Sequence, residues 1–228
     1  MIGGGFNNII QTNAVYSTIG GGYINTIKIN APYSTIPGGF LNSASGTNSF
    51  AAGNRAQANH TGAFVWADYN NFYFPSLVTN SFSVRSVGGA RFVTAIDGGG
   101  NPTAGVSVGA GGTSWSAISD RNAKKNFQSF DKKEVLEKLA AMPVEHWNYK
   151  WESNSEVPHI GPVAQDFKAA FYPGRDNKSI TTLEFDGVEL AAIQGLNEAV
   201  KEKDVKILSL EKRLHDLEQL VHSLAEKK

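Results

Sequence analysis

"YSTIGGG", residues 16–22, returns as "YSTIPGG" at residues 33–39, a shift of 17. The register holds on both sides of the match. Phe6, Tyr23 and Phe40 fall in line, as do Asn8, Asn25 and Asn42. Self-similarity at a fixed short period is the signature of stacked supersecondary units. A shorter unit of 14 follows, carrying Gly39 to Gly53 and Ala44 to Ala58. Each unit is β-branched and punctuated by glycine, which predicts one or two brief strands per coil and not a helix. Glycine supplies the corners at φ > 0, and the recurrent asparagines predict side chains that stack and bond from coil to coil. A coil this thin cannot bury a hydrophobic face alone, so either many coils stack or several chains share one core.

Other readings of these glycines fail. A flexible linker does not keep Ile, Phe and Tyr in register. A phosphate loop needs Gly-Lys-Ser/Thr and a following helix, and neither follows "IGGG". Beyond the repeat, "YNNFYFPSLVT" (69–79) reads as the cap of the roll. "NSFSVRSVGGARFVTAIDGGGNPTAGVSV" (80–108) alternates apolar and polar residues between glycine turns. Residues 1–68 are thus expected to form glycine-rich β-roll repeats and 69–118 a β-connector.

At Ser119 the composition changes. Residues 1–118 hold 20 of the 24 glycines, but only Lys28, Arg55, Arg85 and Arg91 as bases and Asp68 and Asp97 as acids. The other 17 basic and 19 acidic side chains lie beyond. The balance of 21 bases against 21 acids gives no basic footprint for nucleic acid. Two acids in the β half are a poor basis for glycoside cleavage, which takes a pair of carboxylates across the sugar. No cysteine is present, which removes disulfides and thiolate chemistry. No apolar run reaches the roughly 20 residues of a membrane span. "MIGGGFNN" has no signal-peptide pattern and starts inside a repeat, so a fragment of a longer protein is expected. No cofactor or metal site is read from the sequence.

The second half is helical in character. "DKKEVLEKLAAMP" (131–143) has Asp131 as N-cap and Glu134 three residues on, with Val135, Leu136 and Leu139 on one side. "VEHWNYKW" (144–151) alternates like a strand, and "HIGPVAQDFKAAF" (159–171) reads as a turn and a short helix. Trp147, Trp151 and Phe167 are expected to pack a small α/β core. Ile193, Val200, Ile207, Leu214 and Val221 recur every seven residues, and Leu196, Leu210, Leu217 and Leu224 form a second seam broken by Lys203. Lys206 and Arg213 at g with Glu211 and Glu218 at e favour a parallel coiled coil. Branched residues at a with leucine at d lean toward a dimer. His215 and His222 fall at b, on the outer face, as solvated side chains.

Two resemblances join these parts. Residues 2–68 resemble the β-roll heads of trimeric autotransporter adhesins and related fibre proteins, though with a 17-residue unit beside the 14. The three-fold assembly this implies overrides the dimer lean of the coiled coil. "SDRNAKKNF", "HIGPVAQDF" and "GVELAAIQGLNEAV" before a coiled coil resemble the intramolecular chaperone, or auto-processing, domain at the C-termini of phage tailspikes, endosialidases and some bacterial fibres. The resemblance implies a chaperone domain over 119–190 and a trimeric coiled coil over 191–228. The whole is expected to be a fibrous homotrimer that folds with the chaperone's help, then releases it by self-cleavage. By position, Ser119 is the nucleophile, Lys124 its general base with Lys125 the alternative, and Ser119–Asp120 the bond cut. Attack on the preceding carbonyl would instead cut before Ser119. His159 and Asp166 are expected in support, by loop bonding and helix capping.

A serine hydroxyl is a poor nucleophile until a neighbour takes its proton. A lysine does so only when burial or nearby positive charge lowers its pKa. Arg121, Lys124 and Lys125 crowd that charge together. The alternative function is a structural trimer whose chaperone stays attached and inactive. Partners are expected to be two further copies and, through upstream regions, a cell-surface receptor or glycan. The expected location is a virion tail fibre or a bacterial surface.

Overall fold

The Thr-Ile pairs of the repeat become strands of two residues each. In the computed structural model, which describes residues 1–174 and 176–226, Thr18–Ile19 pairs in parallel with Thr35–Ile36. Ile9–Ile10 pairs with Thr26–Ile27, which pairs with Ser43–Ala44. Each coil gives one strand to each of two parallel ladders, five rungs deep. Side chains alternate across a strand, so Ile19, Ile27 and Ile36 point inward and are fully buried. Each contributes on the order of 1.5–3 kcal/mol by leaving water. Where the unit shortens, Ile27 stands against Ala44 and Ala44 against Ala58. Alanine fills the narrower interior of the 14-residue coils.

The polar columns match the sequence register. Asn8, Asn25 and Asn42 form a ladder in which each Oδ1 accepts a backbone N–H of the next coil, at 3.0, 2.9 and 2.9 Å. Each Nδ2 bridges a glycine carbonyl of its own coil and one of the next. Ser17 and Ser34 repeat the device, each Oγ accepting the N–H of the serine one coil on. Glycine is required where coils approach: a Cβ on Gly39 would stand 2.1 Å from the Gly53 carbonyl oxygen. The corners meet the expectation in part, with Gly5, Gly22, Gly39 and Gly53 at φ > 0. Many left-handed positions belong to other residues, among them Tyr16, Ile24, Tyr33, Leu41 and Arg55.

The solenoid also runs further than residue 68. Phe64–Ala67 pairs in parallel with Phe82–Arg85, and Ala56–Ala58 with Phe74–Pro75. Residues 69–79 therefore belong to another coil and do not cap the roll. The connector is the antiparallel hairpin Gly89–Ile96 and Pro102–Gly109, with Ser116–Ala117 added at its edge. Asp97 closes its turn by accepting from the N–H groups of Gly99 and Asn101, both at 2.8 Å.

The chain divides into two compact units, Met1–Ala123 and a second starting at Lys124. The second holds helices α1 (Lys132–Ala141), α2 (Ala164–Phe171) and α3 (Thr182–Ala225), and a hairpin pairing Glu145–Trp147 with His159–Gly161. Asp131 caps α1, its side chain accepting from Lys133 N and Glu134 N. Phe167, Met142 and Val188 form the core, with Val135, Leu139 and Phe185 against it. Trp151 is no part of that core: it is 79% exposed, stacked on Tyr149 at 4.3 Å. Helix α1 runs antiparallel to α3, with Lys132 facing Glu198 at 3.6 Å and Lys133 paired to Glu202. Helix α3 begins nine residues before the expected coiled coil. Residues 227 and 228 of that expectation lie outside the described residues.

Candidate functional site

Ser119 follows the edge strand Ser116–Ala117, and a single 3₁₀ turn, Arg121–Ala123, separates Asp120 from Lys124. Asp120 organises this turn. Its Oδ1 accepts from Asn122 N at 2.9 Å and from Asn122 Nδ2 at 3.2 Å, while its carbonyl accepts from Ala123 N. A short polar side chain bonding two residues on is the Asx arrangement that favours a turn over a strand. Ser119 lies in the first unit and is exposed. Lys124 opens the second and is exposed as well. Neither is buried by its own unit.

His159 and Asp166 stand apart in role. His159 sits in the hairpin, its ring stacked on Trp147 at 4.7 Å and its Nε2 2.9 Å from Glu152 Oε1. That contact, with the Tyr149 N–H, holds the Glu152 carboxyl below its usual range. The arrangement closes the hairpin, as loop bonding would. Asp166 does not cap α2. The cap position is Val163, without a side-chain bond, and Asp166 lies in the first turn, where a carboxylate favours the helix dipole.

The seam residues are together on one helix. Ile193, Leu196, Val200, Ile207, Leu210, Leu214, Leu217, Val221 and Leu224 all lie on α3, and all are exposed, from 45% at Val200 to 65% at Val221. Sequence reasoning missed what anchors this helix. Thr181 and Glu184 form a full capping box, and Lys168 of α2 donates to Glu184 Oε2 at 2.6 Å with both side chains largely buried. Lys168 first, then the Thr181 N–H, hold the Glu184 carboxyl at about 2. The signal was present as Thr-x-x-Glu, its threonine twelve residues before the first seam position.

Gly195 was also passed over. A Cβ there would meet the Lys132 carbonyl oxygen at 2.3 Å, so this glycine lets α1 lie against α3. Among the described residues no group of three or more His, Asp or Glu is placed to hold a metal ion. No helix among them is long and apolar enough to cross a membrane.

Compared with known families, residues 119–174 match the one described as chaperone of endosialidase, a self-cleaving serine-peptidase-like domain. The match begins at Ser119 and covers α1, the hairpin and α2. No curated protein matches the chain.

Proposed function

We propose, from the chaperone-of-endosialidase domain that residues 119–174 form, that this chain is the C-terminal part of a homotrimeric fibre or adhesin, assembled by that domain and then freed from it. The observation that carries the reading is α3. Nine apolar residues in heptad register lie along it, each between 45% and 65% exposed. Apolar seams of this period are buried by parallel copies of themselves, and three copies suit a solenoid whose stacked aromatics also face outward. A helix that collects three chains fixes their register before the slow, non-local pairing of β-coils begins.

Self-cleavage then follows at Ser119–Asp120, with Ser119 as nucleophile and Lys124 as general base. Lys124, neutral once neighbouring copies bury it, takes the proton from Ser119 Oγ. The deprotonated oxygen bonds to the carbonyl carbon of Ser119 as the C–N bond to Asp120 breaks, and Lys124 returns the proton to the Asp120 nitrogen. Water then hydrolyses the ester to a carboxylate and the free hydroxyl. His159 supports the domain through Glu152, and Asp166 through the dipole of α2. Losing the folding aid leaves the fibre without an easy route back to the unfolded chains, which is kinetic stability. Such a fibre belongs on a virion tail or a bacterial surface, meeting a receptor or glycan there.

Intact mass of freshly made protein, beside Ser119→Ala, tests this. Two fragments meeting at Ser119–Asp120, absent from the variant, are expected. A cut one residue earlier would mean attack on the preceding carbonyl. Two whole proteins that still form trimers would leave a fibre with a retained, inactive clamp.

A further inference from the structure

One stretch of the solenoid departs from its repeat. From Phe50–Asn54 to Phe64–Ala67 the ladder advances 14 residues, but from there to Phe82–Arg85 it advances 18. The extra residues leave the coil within the corner loop 69–73, "YNNFY". Insertions in solenoids collect on one face, often the face that binds. The core makes little use of this loop: Tyr69 is 94% and Phe72 74% exposed.

The loop is nonetheless tied down. Arg85 Nη1 donates to the Phe72 carbonyl and Nη2 to the Asn70 carbonyl, both at 2.7 Å. Asn54 Nδ2 donates to the Tyr69 carbonyl at 2.7 Å. Arg85 is itself fixed by Asp68 at 2.8 Å. On the neighbouring coil, Arg55 Nε donates to Asn71 Oδ1, and its guanidinium lies over the rings of Phe40 and Tyr73. Holding exposed rings in place costs conformational entropy that burial does not return here. A fixed geometry is what lowers the cost of binding something else.

The loop borders an open cleft of about 790 Å³, lined by Phe40, Trp66, Tyr69, Asn70 and Asn71 over a floor of Gly39 and Gly53. Its size is that of small-molecule sites. Its charges are engaged, Asp68 with Arg85 and Arg55 with Asn71. What it presents is aromatic faces beside neutral amides. The apolar C–H face of a sugar ring suits an aromatic platform, and its hydroxyls suit amide donors and acceptors. We propose that this cleft binds a neutral oligosaccharide, with Trp66 and Tyr69 stacking on sugar rings and Asn70 and Asn71 bonding to their hydroxyls. The site needs neither trimerisation nor cleavage, so it stands or falls apart from the reading above.

The test uses the full chain on an array of immobilised neutral and acidic oligosaccharides, with sedimentation velocity on the same samples. Neutral oligosaccharides should be retained, and Trp66→Ala or Tyr69→Ala should weaken retention at least tenfold. Tyr16→Ala, an exposed ring on a different column, should leave it unchanged. Tyr69 contributes almost nothing to packing, so its variant folds even where Trp66→Ala does not. Retention of nothing, retention of acidic glycans alone, or equal binding by Tyr69→Ala would overturn the proposal. So would a Tyr69→Ala variant that changes the oligomeric state, since the cleft would then be a contact between copies.

Discussion

Asn25 is fully buried, and its side chain is engaged at both ends. Oδ1 accepts from Asn42 N at 2.9 Å, and Nδ2 donates to the Gly21 and Gly39 carbonyls at 3.0 and 2.9 Å. Asn25→Ala would orphan the Asn42 N–H in a dry interior, where a lost partner costs about 1–3 kcal/mol. With the other bonds gone too, a loss of about 3 kcal/mol is expected in urea unfolding. Asn8→Ala, at the half-buried start of the same ladder, should cost under about 1 kcal/mol. Equal losses at both positions would mean that the ladder is not what holds the coils in register. This column was legible because a buried amide repeating every 17 residues has few other uses. The left-handed corners were not. Ile24 at φ 55° and Leu41 at φ 54° carry no local signal for that region, and the stacking of coils imposes it on them.

Helix α3 contains two glycines with opposite surroundings. Among the described residues, nothing beyond the helix's own adjoining backbone lies within 4 Å of a Cβ at Gly187, whereas at Gly195 the Lys132 carbonyl oxygen stands 2.3 Å away. Alanine is the better helix former by about 1 kcal/mol. Gly187→Ala should therefore raise the stability of the second unit by about that amount. Gly195→Ala should lower it, because α1 must move away and its Lys132 and Lys133 pairs with α3 go with it. Thermal unfolding followed at 222 nm reads both signs, and two changes of the same sign would contradict the packing. The element boundaries explain what sequence reading caught here. The Asp131 cap was visible because it obeys a local rule. The start of α3 was not, because its first turns pack Phe185 and Val188 inward against α2 and only later turns follow the period of seven.

At the scale of the molecule, the two halves differ in how much of their purpose a single chain contains. The solenoid buries Ile19, Ile27, Ile36 and a column of alanines within one chain, so its fold could be read from a repeat. The candidate site could be named from motifs but not built from them. Ser119 and Lys124 are both exposed, and no local motif encodes the burial that a lysine base needs. If assembly supplies it, cleavage must depend on the seam. Leu210→Asp with Leu217→Asp places charge at two d positions that are 49% and 57% exposed in one chain, so the fold of each protomer survives the change. Like charges meeting at the axis of a parallel bundle should reduce the protein to monomer in sedimentation velocity. If the parent chain cuts itself, the same protein should stay whole by intact mass over the time that the parent's cut takes. Monomer that still cuts itself would show that Lys124 needs no neighbouring copy. The base would then have to be activated within one chain, and Lys125 or the charge of Arg121 would be the next groups to change.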